Sequence, residues 1–572
     1  MLLDLAGSVM IFCSISLGLA WPLAARLNLE PAEKLGARGM LSLVGVFLFS
    51  WTVYTFSLRA MFLQMLPGLT ALGIFFNRRN VATTLRDVDA RGLLAGQILV
   101  TSWCLALLAL VLSYSGGGWV ADWWGHLERS LFFLERGPRD ILFNGLDPMP
   151  SRPPLANIVN GAFLEITQRD FRHYQLFSTL LGSLAFLPAA LLARRWGGSQ
   201  AIAFFAVLFM LNPLFAQNST FAWTKLPTVF FVLTALFFFL RAHDPAAPRT
   251  AGILFSASLA AGLLTHYSTG PYALALAVGW PLLGWARRGD PTWWRTTTGA
   301  VAAGLIVLAT WFGWALAEFG WHLTFLSNTS ITDQAPTSGE QFRVILLNIR
   351  DTLVLHFLHP VDSTQIDQNS AFGWWRDWFF NFYQTNFFFA FGTVTWAGIL
   401  AGLVRNWPNT PTLRRLFWAI FILGTAGLGI AVHGGRQTWG LAHICLQPLV
   451  ILGLASLAAH WNTLGRNWRI ALAAGAALDF LFGIALQFWV ESDSLSRTFT
   501  ASAAVGGIGL DYSLATQINL HAKQLNHWIF VGDIFAAHAG LVCGLLSLLL
   551  LLALVRAGRR PGPLSPQPST HP

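Results

Sequence analysis

The chain has 572 residues, of which 55% are hydrophobic and only 11% charged, with a mean hydropathy of +0.55. Soluble domains carry about a quarter charged residues, so this composition excludes a string of water-soluble domains and describes an all-α polytopic membrane protein. The formal net charge of +10 would suit a nucleic-acid surface, but its placement along the chain excludes that reading as well.

Apolar runs of membrane-crossing length are predicted near 5–25, 39–57, 60–77, 94–114, 174–193, 200–216, 226–240, 251–266, 270–286, 298–317, 386–404, 415–432, 440–459, 469–489 and 534–555, fifteen spans in all. The first lacks a basic leader and is followed by further spans, so it reads as a retained helix rather than a cleaved signal. When the loop bearing Arg78, Arg79, Arg86 and Arg91 is placed inside, Arg194/Arg195, Arg287/Arg288, Arg414/Arg415 and Arg559/Arg560 all fall on that same side. The basic excess is therefore the positive-inside signal. It sets the N-terminus outside and the C-terminus in the cytoplasm, and it suits a bacterial inner membrane.

Residues 1–93 read as a three-helix extension, 94–320 as a core, 321–555 as further spans and 556–572 as a disordered, Pro-rich cytoplasmic tail. Inside loops are short. Three outside segments, 115–173, 318–385 and 490–533, are long, and long connections concentrated on one face mark the functional face. Cys13, Cys104, Cys445 and Cys543 all lie in apolar spans without a CxxC motif, which argues against disulfides and a thiolate metal site. No internal repeat is evident, and this weighs against a transporter built from inverted halves.

The first outside loop opens with "WVADWWGHLERSLFF". From Asp122 the pattern predicts an amphipathic helix with Trp123, Leu127 and Leu131 on one face and Glu128, Arg129, Glu135 and Arg136 mostly elsewhere, suited to the membrane surface. A second short helix is expected from Pro154. Asp122 is either a helix N-cap or a base that meets a water-borne acceptor at the lipid boundary. His126, one turn on, either orients Asp122 or is an interfacial histidine without a task.

The order of Asp122, His126-Leu127, Arg152-Pro153-Pro154-Leu155, "LLARRWGG", "NPLFAQNSTFAWTKLPTVFFVLTALFFFLRA" and "AAGLLTHYSTGPYALAL" resembles the membrane glycosyltransferases of the GT-C fold. Within them it is similar to the protein-mannosyltransferase-like group that includes bacterial aminoarabinose and lipopolysaccharide-core sugar transferases. The resemblance spans roughly Leu94 to Pro281. It implies a GT-C-like bundle that moves a sugar from a polyprenyl-phosphate donor to a glycan, lipid or protein acceptor on the outer face, with inversion. The family's acid at the start of the first outside loop falls on Asp122. One carboxylate suffices because a phosphate leaving group needs little protonation, whereas hydrolases with alkoxide leaving groups use two.

The leaving phosphate calls for positive charge, and the outside candidates are Lys225, Arg436 and Arg152. Relatives place an acid near Lys225. A lysine there argues against a cation ligand and for direct phosphate contact, the alternative being a snorkelling helix end. His266 and Tyr267 lie at an outer helix end as candidate cavity-lining residues, with His433 and His443 in a similar position around Arg436. Gln447 follows His443 by one turn. Asp479 interrupts an apolar span, a placement that is costly and marks a function or a partner; a structural role is expected, since it lies away from the outer face. His356, His359, Asp362 and Asp367 do not form an HExxH pattern, and no cofactor or metal is expected. The rival readings are a polytopic transporter and a polyprenyl-lipid-binding relative without catalysis.

Overall fold

In a computed structural model, residues 2–110, 120–143, 147–245, 247–327, 338–359, 381–432, 444–485, 541–549 and 552 are described. These are almost wholly helical. Among them the sole β pairing is a two-residue antiparallel bridge, Leu142–Phe143 with Asp147–Pro148. Among the described residues, eight helices are long and apolar enough to cross a membrane, or ten when two sharply bent pairs each count as one span. The fifteen predicted segments include several that fold as shorter or broken helices, such as Arg249–Thr265, Gly270–Gly284 and Gln447–His460.

Burial separates the centre of the bundle from its rim. Every residue in the apolar window of Arg172–Gly197 is buried, against 28% in Pro291–Phe325. Lys225–Ala242 is likewise central, with Phe230, Leu233, Leu236 and Phe239 fully enclosed. A helix apolar on all sides must face either lipid or protein, and here the two cases are told apart by neighbours rather than composition.

Local chemistry sets the breaks. Asn212 precedes Pro213, a placement that favours an extended backbone, and its φ of −75° and ψ of 124° end the Gln200–Leu211 helix. Its side chain then caps the next helix, Pro213–Thr220, by accepting from the Phe215 N–H at 3.0 Å. Its amide donates to the Ala390 carbonyl at 2.8 Å. The two helices meet at 71°, which carries the chain to the start of Lys225–Ala242.

The predicted span at 386–404 is also broken. Phe387–Phe391 and Thr395–Asn406 are separate helices with Gly392 at a φ of +114° between them. Asp479 of the Arg466–Ile484 helix closes this gap. It accepts from the Thr393 N–H at 2.7 Å and the Tyr383 hydroxyl at 2.7 Å, and from the Thr393 hydroxyl. The acid inside an apolar span thus caps a backbone break, in keeping with the structural role expected for it.

The two faces of the bundle follow the alternation of spans. On one, Arg194 holds Glu30 and Asp89, Arg195 holds Asp244, and Arg241 holds Glu33. On the other, Arg136 donates to the Val53 and Leu58 carbonyls and Arg139 pairs with Glu318. Pro31–Thr55 is thereby tied to later helices at both ends.

Candidate functional site

The helix expected after Asp122 runs from Val120 to Glu135, and the one expected at Pro154 runs from Leu155 to Ile166. They pack face to face. Gly161 permits this, because a Cβ there would come within 2.8 Å of the Ser130 carbonyl oxygen. The packing reverses one expectation of the surface-helix pattern. Arg129 is buried, as are His126 and Ser130, so a polar stripe turns inward alongside Leu127. Positions three and four apart share a helix face, and that spacing was the available signal for joining Arg129 to His126.

His126 Nδ1 donates to the Asn157 side-chain Oδ1 at 3.2 Å. This assigns the ring proton to Nδ1 and leaves the Nε2 lone pair available in the neutral form. Burial, followed by the positive charges of Arg152, Arg129 and Lys225, holds the His126 imidazole well below its ordinary value, against the Asn157 hydrogen bond. Three cations from three parts of the chain therefore converge on one histidine. The Asn157 amide nitrogen has no hydrogen-bond partner among the described residues.

Each cation is set by its own local structure. Arg129 lies with its guanidinium carbon 4.3 Å from the centroid of the Phe143 ring. Arg152 ends the short turn Met149–Ser151. Lys225 opens its helix with only 6% of its surface exposed, and its Nζ lies 4.1 Å from the centroid of the Trp223 ring. A snorkelling lysine would reach water; this one is enclosed. Its charge extends to Cys445, next to the Gln447–His460 helix. Gln447 is fully buried, and neither side-chain amide atom has a partner among the described residues.

Tyr267 joins the same region. Burial pushes its phenol up to about 12, with the Arg152 charge acting in the opposite direction, and its hydroxyl has no partner among the described residues. His266 caps the turn Tyr267–Thr269, its Nδ1 accepting from the Ser268 N–H at 3.1 Å. It is thus fixed locally.

The structure places Arg152 and Lys225 in the electrostatic neighbourhood of His126 and Tyr267 in that of Arg152, and it adds Arg129 and Asn157. Asp122 stands one turn before His126 on the same helix, with its side chain outside the described residues. His433, Arg436 and His443 also lie outside them, as do Asp362 and Asp367. His356 and His359 hydrogen-bond to the backbone carbonyls of Asp351 and Val354. Among the described residues no cluster of three or more His, Cys, Asp or Glu side chains could hold a metal ion.

The family model described as dolichyl-phosphate-mannose-protein mannosyltransferase matches residues 123–327. That segment contains His126, Arg129, Arg152, Asn157, Lys225, His266 and Tyr267, and begins one residue after Asp122. No curated protein matches the chain. Among solved structures, ArnT from Cupriavidus metallidurans bound to undecaprenyl phosphate is similar at 15% identity and a TM-score of 0.46, covering 82% of this chain and 77% of that one. The archaeal oligosaccharyltransferase AglB from Archaeoglobus fulgidus, in complex with an inhibitory peptide and a dolichol-phosphate, is similar at 14% identity and a TM-score of 0.37, covering 71% of this chain and 57% of that one.

Proposed function

We propose that the chain is an inverting GT-C-type glycosyltransferase that moves a sugar from a polyprenyl-phosphate donor to an acceptor hydroxyl at the outer membrane–water boundary. The observation that carries this reading is the convergence of Arg129, Arg152 and Lys225 on His126, inside the segment that matches a family of lipid-phosphate-dependent mannosyltransferases. Two buried cations, Arg129 and Lys225, with the partly exposed Arg152, are suited to a phosphate that gains charge as it leaves.

In this mechanism the Asp122 carboxylate takes the acceptor proton while the acceptor oxygen attacks the anomeric carbon. The bond from that carbon to the phosphate oxygen breaks, and its electron pair leaves with polyprenyl phosphate. Lys225 and Arg152 meet the new charge, with Arg436 as a further candidate from the later outside turn. His126, neutral and held by Asn157, positions the acceptor or Asp122 through Nε2. The positive charge comes from side chains, so the reading calls for no divalent metal. The acceptor is a glycan, lipid or protein. The enzyme would reside in a bacterial inner membrane with its N-terminus outside, its C-terminus cytoplasmic and the site facing out.

The acid that could have favoured a transporter, Asp479, is engaged in capping the break at Thr393, which removes the specific support for that alternative. The test uses the full chain in nanodiscs with a panel of polyprenyl-phosphate sugars, following release of polyprenyl phosphate. Wild type is expected to turn over at least one donor, and Asp122→Asn to lose about 10²–10⁴-fold, the range for removal of a general base. Lys225→Met is expected to lose turnover with the protein still folded. Equal rates for wild type and Asp122→Asn would sink the mechanism.

A further inference from the structure

A second basic site lies at the opposite end of the bundle, in the N-terminal extension. Arg38, two turns into the Pro31–Thr55 helix, is 1% exposed. Its Nε donates to the Lys34 carbonyl at 3.2 Å, and its guanidinium carbon sits 3.5 Å from the centroid of the Trp21 ring. Nη1 and Nη2 are buried without a hydrogen-bond partner among the described residues. The acids nearby are engaged elsewhere: Glu30 and Asp89 hold Arg194, and Glu33 holds Arg241. A cation taken out of water with donors unanswered is strongly unfavourable, so the surroundings should offer room for an anion.

They do. A cavity of about 50 Å³ is lined by Trp21, Lys34, Arg38, Asn80, Thr83 and Thr84, with no acid in its wall. On this measure a water needs at least about 10–15 Å³, so the cavity has room for a few waters or a single phosphate group. Its position specifies the source of that phosphate. Helical side chains lean toward the N-terminal end, so Arg38 reaches back to the membrane-surface end of its span. The Arg78–Arg86 helix, which supplies Asn80, Thr83 and Thr84, turns 74° away from the preceding apolar segment. It therefore runs along the boundary, with Arg78, Arg79 and Arg86 exposed beside exposed Phe75, Phe76 and Leu85, the composition of an interfacial helix. Basic pockets between spanning helices at this depth hold lipid headgroups.

We propose that Arg38, Lys34 and Asn80 bind the phosphate of an anionic phospholipid headgroup, anchoring the N-terminal helices to one leaflet. This site is separate from the one around His126 and does not depend on the sugar-transfer reading. The test uses the full chain, delipidated in a non-ionic detergent, with thermal unfolding followed during titration with phosphatidylglycerol, diacylglycerol of the same acyl chains, or inorganic phosphate. Phosphatidylglycerol is expected to raise Tm saturably and diacylglycerol to leave it unchanged. Arg38→Gln should weaken the apparent affinity about tenfold or more, the scale of a lost charge-assisted hydrogen bond. Lys34→Gln, at a half-exposed position that tolerates the change, should weaken it about threefold or more, and Arg26→Gln, at an exposed position, should not alter it. A full saturable shift with inorganic phosphate alone would assign the site to free phosphate and overturn the lipid source. No response in wild type, or the same response in wild type, Arg38→Gln and Lys34→Gln, would overturn the site itself.

Discussion

His126 shows how much a single side chain changes character between sequence and fold. In sequence it is an interfacial histidine one turn after an acid; in the fold it is enclosed, bonded to Asn157 and faced by three cations. The unfolded chain titrates this group near the ordinary 6.5, whereas the folded protein resists the proton until well below that. Between those limits the unfolded state binds more protons, so stability falls as pH drops through about 6.5 and is unaffected above it. His126→Gln is expected to flatten that fall by up to about 1.4 kcal/mol per pH unit, measured as Tm against pH. An unchanged profile would mean that the ring takes up its proton as readily in the folded protein as in the unfolded chain. Asp479 makes the complementary case. Truncation to alanine strands the Tyr383 hydroxyl and the Thr393 N–H in a dry span, an expected cost of about 2–4 kcal/mol. Asp479→Asn, which keeps one acceptor oxygen, should cost less in the same unfolding measurement.

At the scale of elements, breaks rather than lengths position the site. Asn212-Pro213 ends a span early and delivers Lys225 to a buried helix start. Gly392 ends another, at a φ of +114° that L side chains rarely adopt. Gly392→Ala would also place a Cβ 2.8 Å from Asp479 Oδ2, and a loss of about 1–3 kcal/mol is expected from the backbone alone. Part of the further loss should vanish in the double variant with Asp479→Ala, because the two residues touch and their effects should not add. Additive losses in that cycle would show that the contact carries no energy. The Asn-Pro signal is legible in sequence. The Gly392 break is not, since glycine is common in membrane spans and nothing local distinguishes this one.

Across the whole molecule, ion pairs opposite the candidate site link Glu30, Glu33 and Asp89 to Arg194 and Arg241 of later helices. Glu33 with Arg241 is the most enclosed of them, at side-chain exposures of 5% and 18%, so solvent screens it least. Arg241→Met leaves Glu33 buried without its cation, and a destabilisation of about 2–4 kcal/mol is expected. Arg195→Met, which breaks a pair with both side chains about a quarter exposed, should cost well under half as much. Thermal unfolding at low and high salt checks the ranking: the Arg195 effect should shrink with salt while the Arg241 effect persists. Equal costs for the two variants would contradict the difference in burial.

The sequence by itself determined that the protein is helical and multi-pass and where many of its spans lie. Each of these is a property of hydropathy over a window of neighbouring residues, and backbone hydrogen bonding in lipid leaves few alternatives. Short motifs also placed Asp122, His126, Arg152 and Lys225 on a candidate list, and the helices after Asp122 and Pro154. The tertiary structure decided which of the listed residues meet. Arg152 and Lys225 meet His126 from 26 and 99 residues away along the chain, a matter of packing that no local window contains. It also decided that Arg129 turns inward and that Asp479 caps a broken backbone. It is likewise the packing that leaves Arg38 enclosed beside a small basic cavity. A charge in an amphipathic pattern looks solvated until the neighbouring helix that covers it is in place.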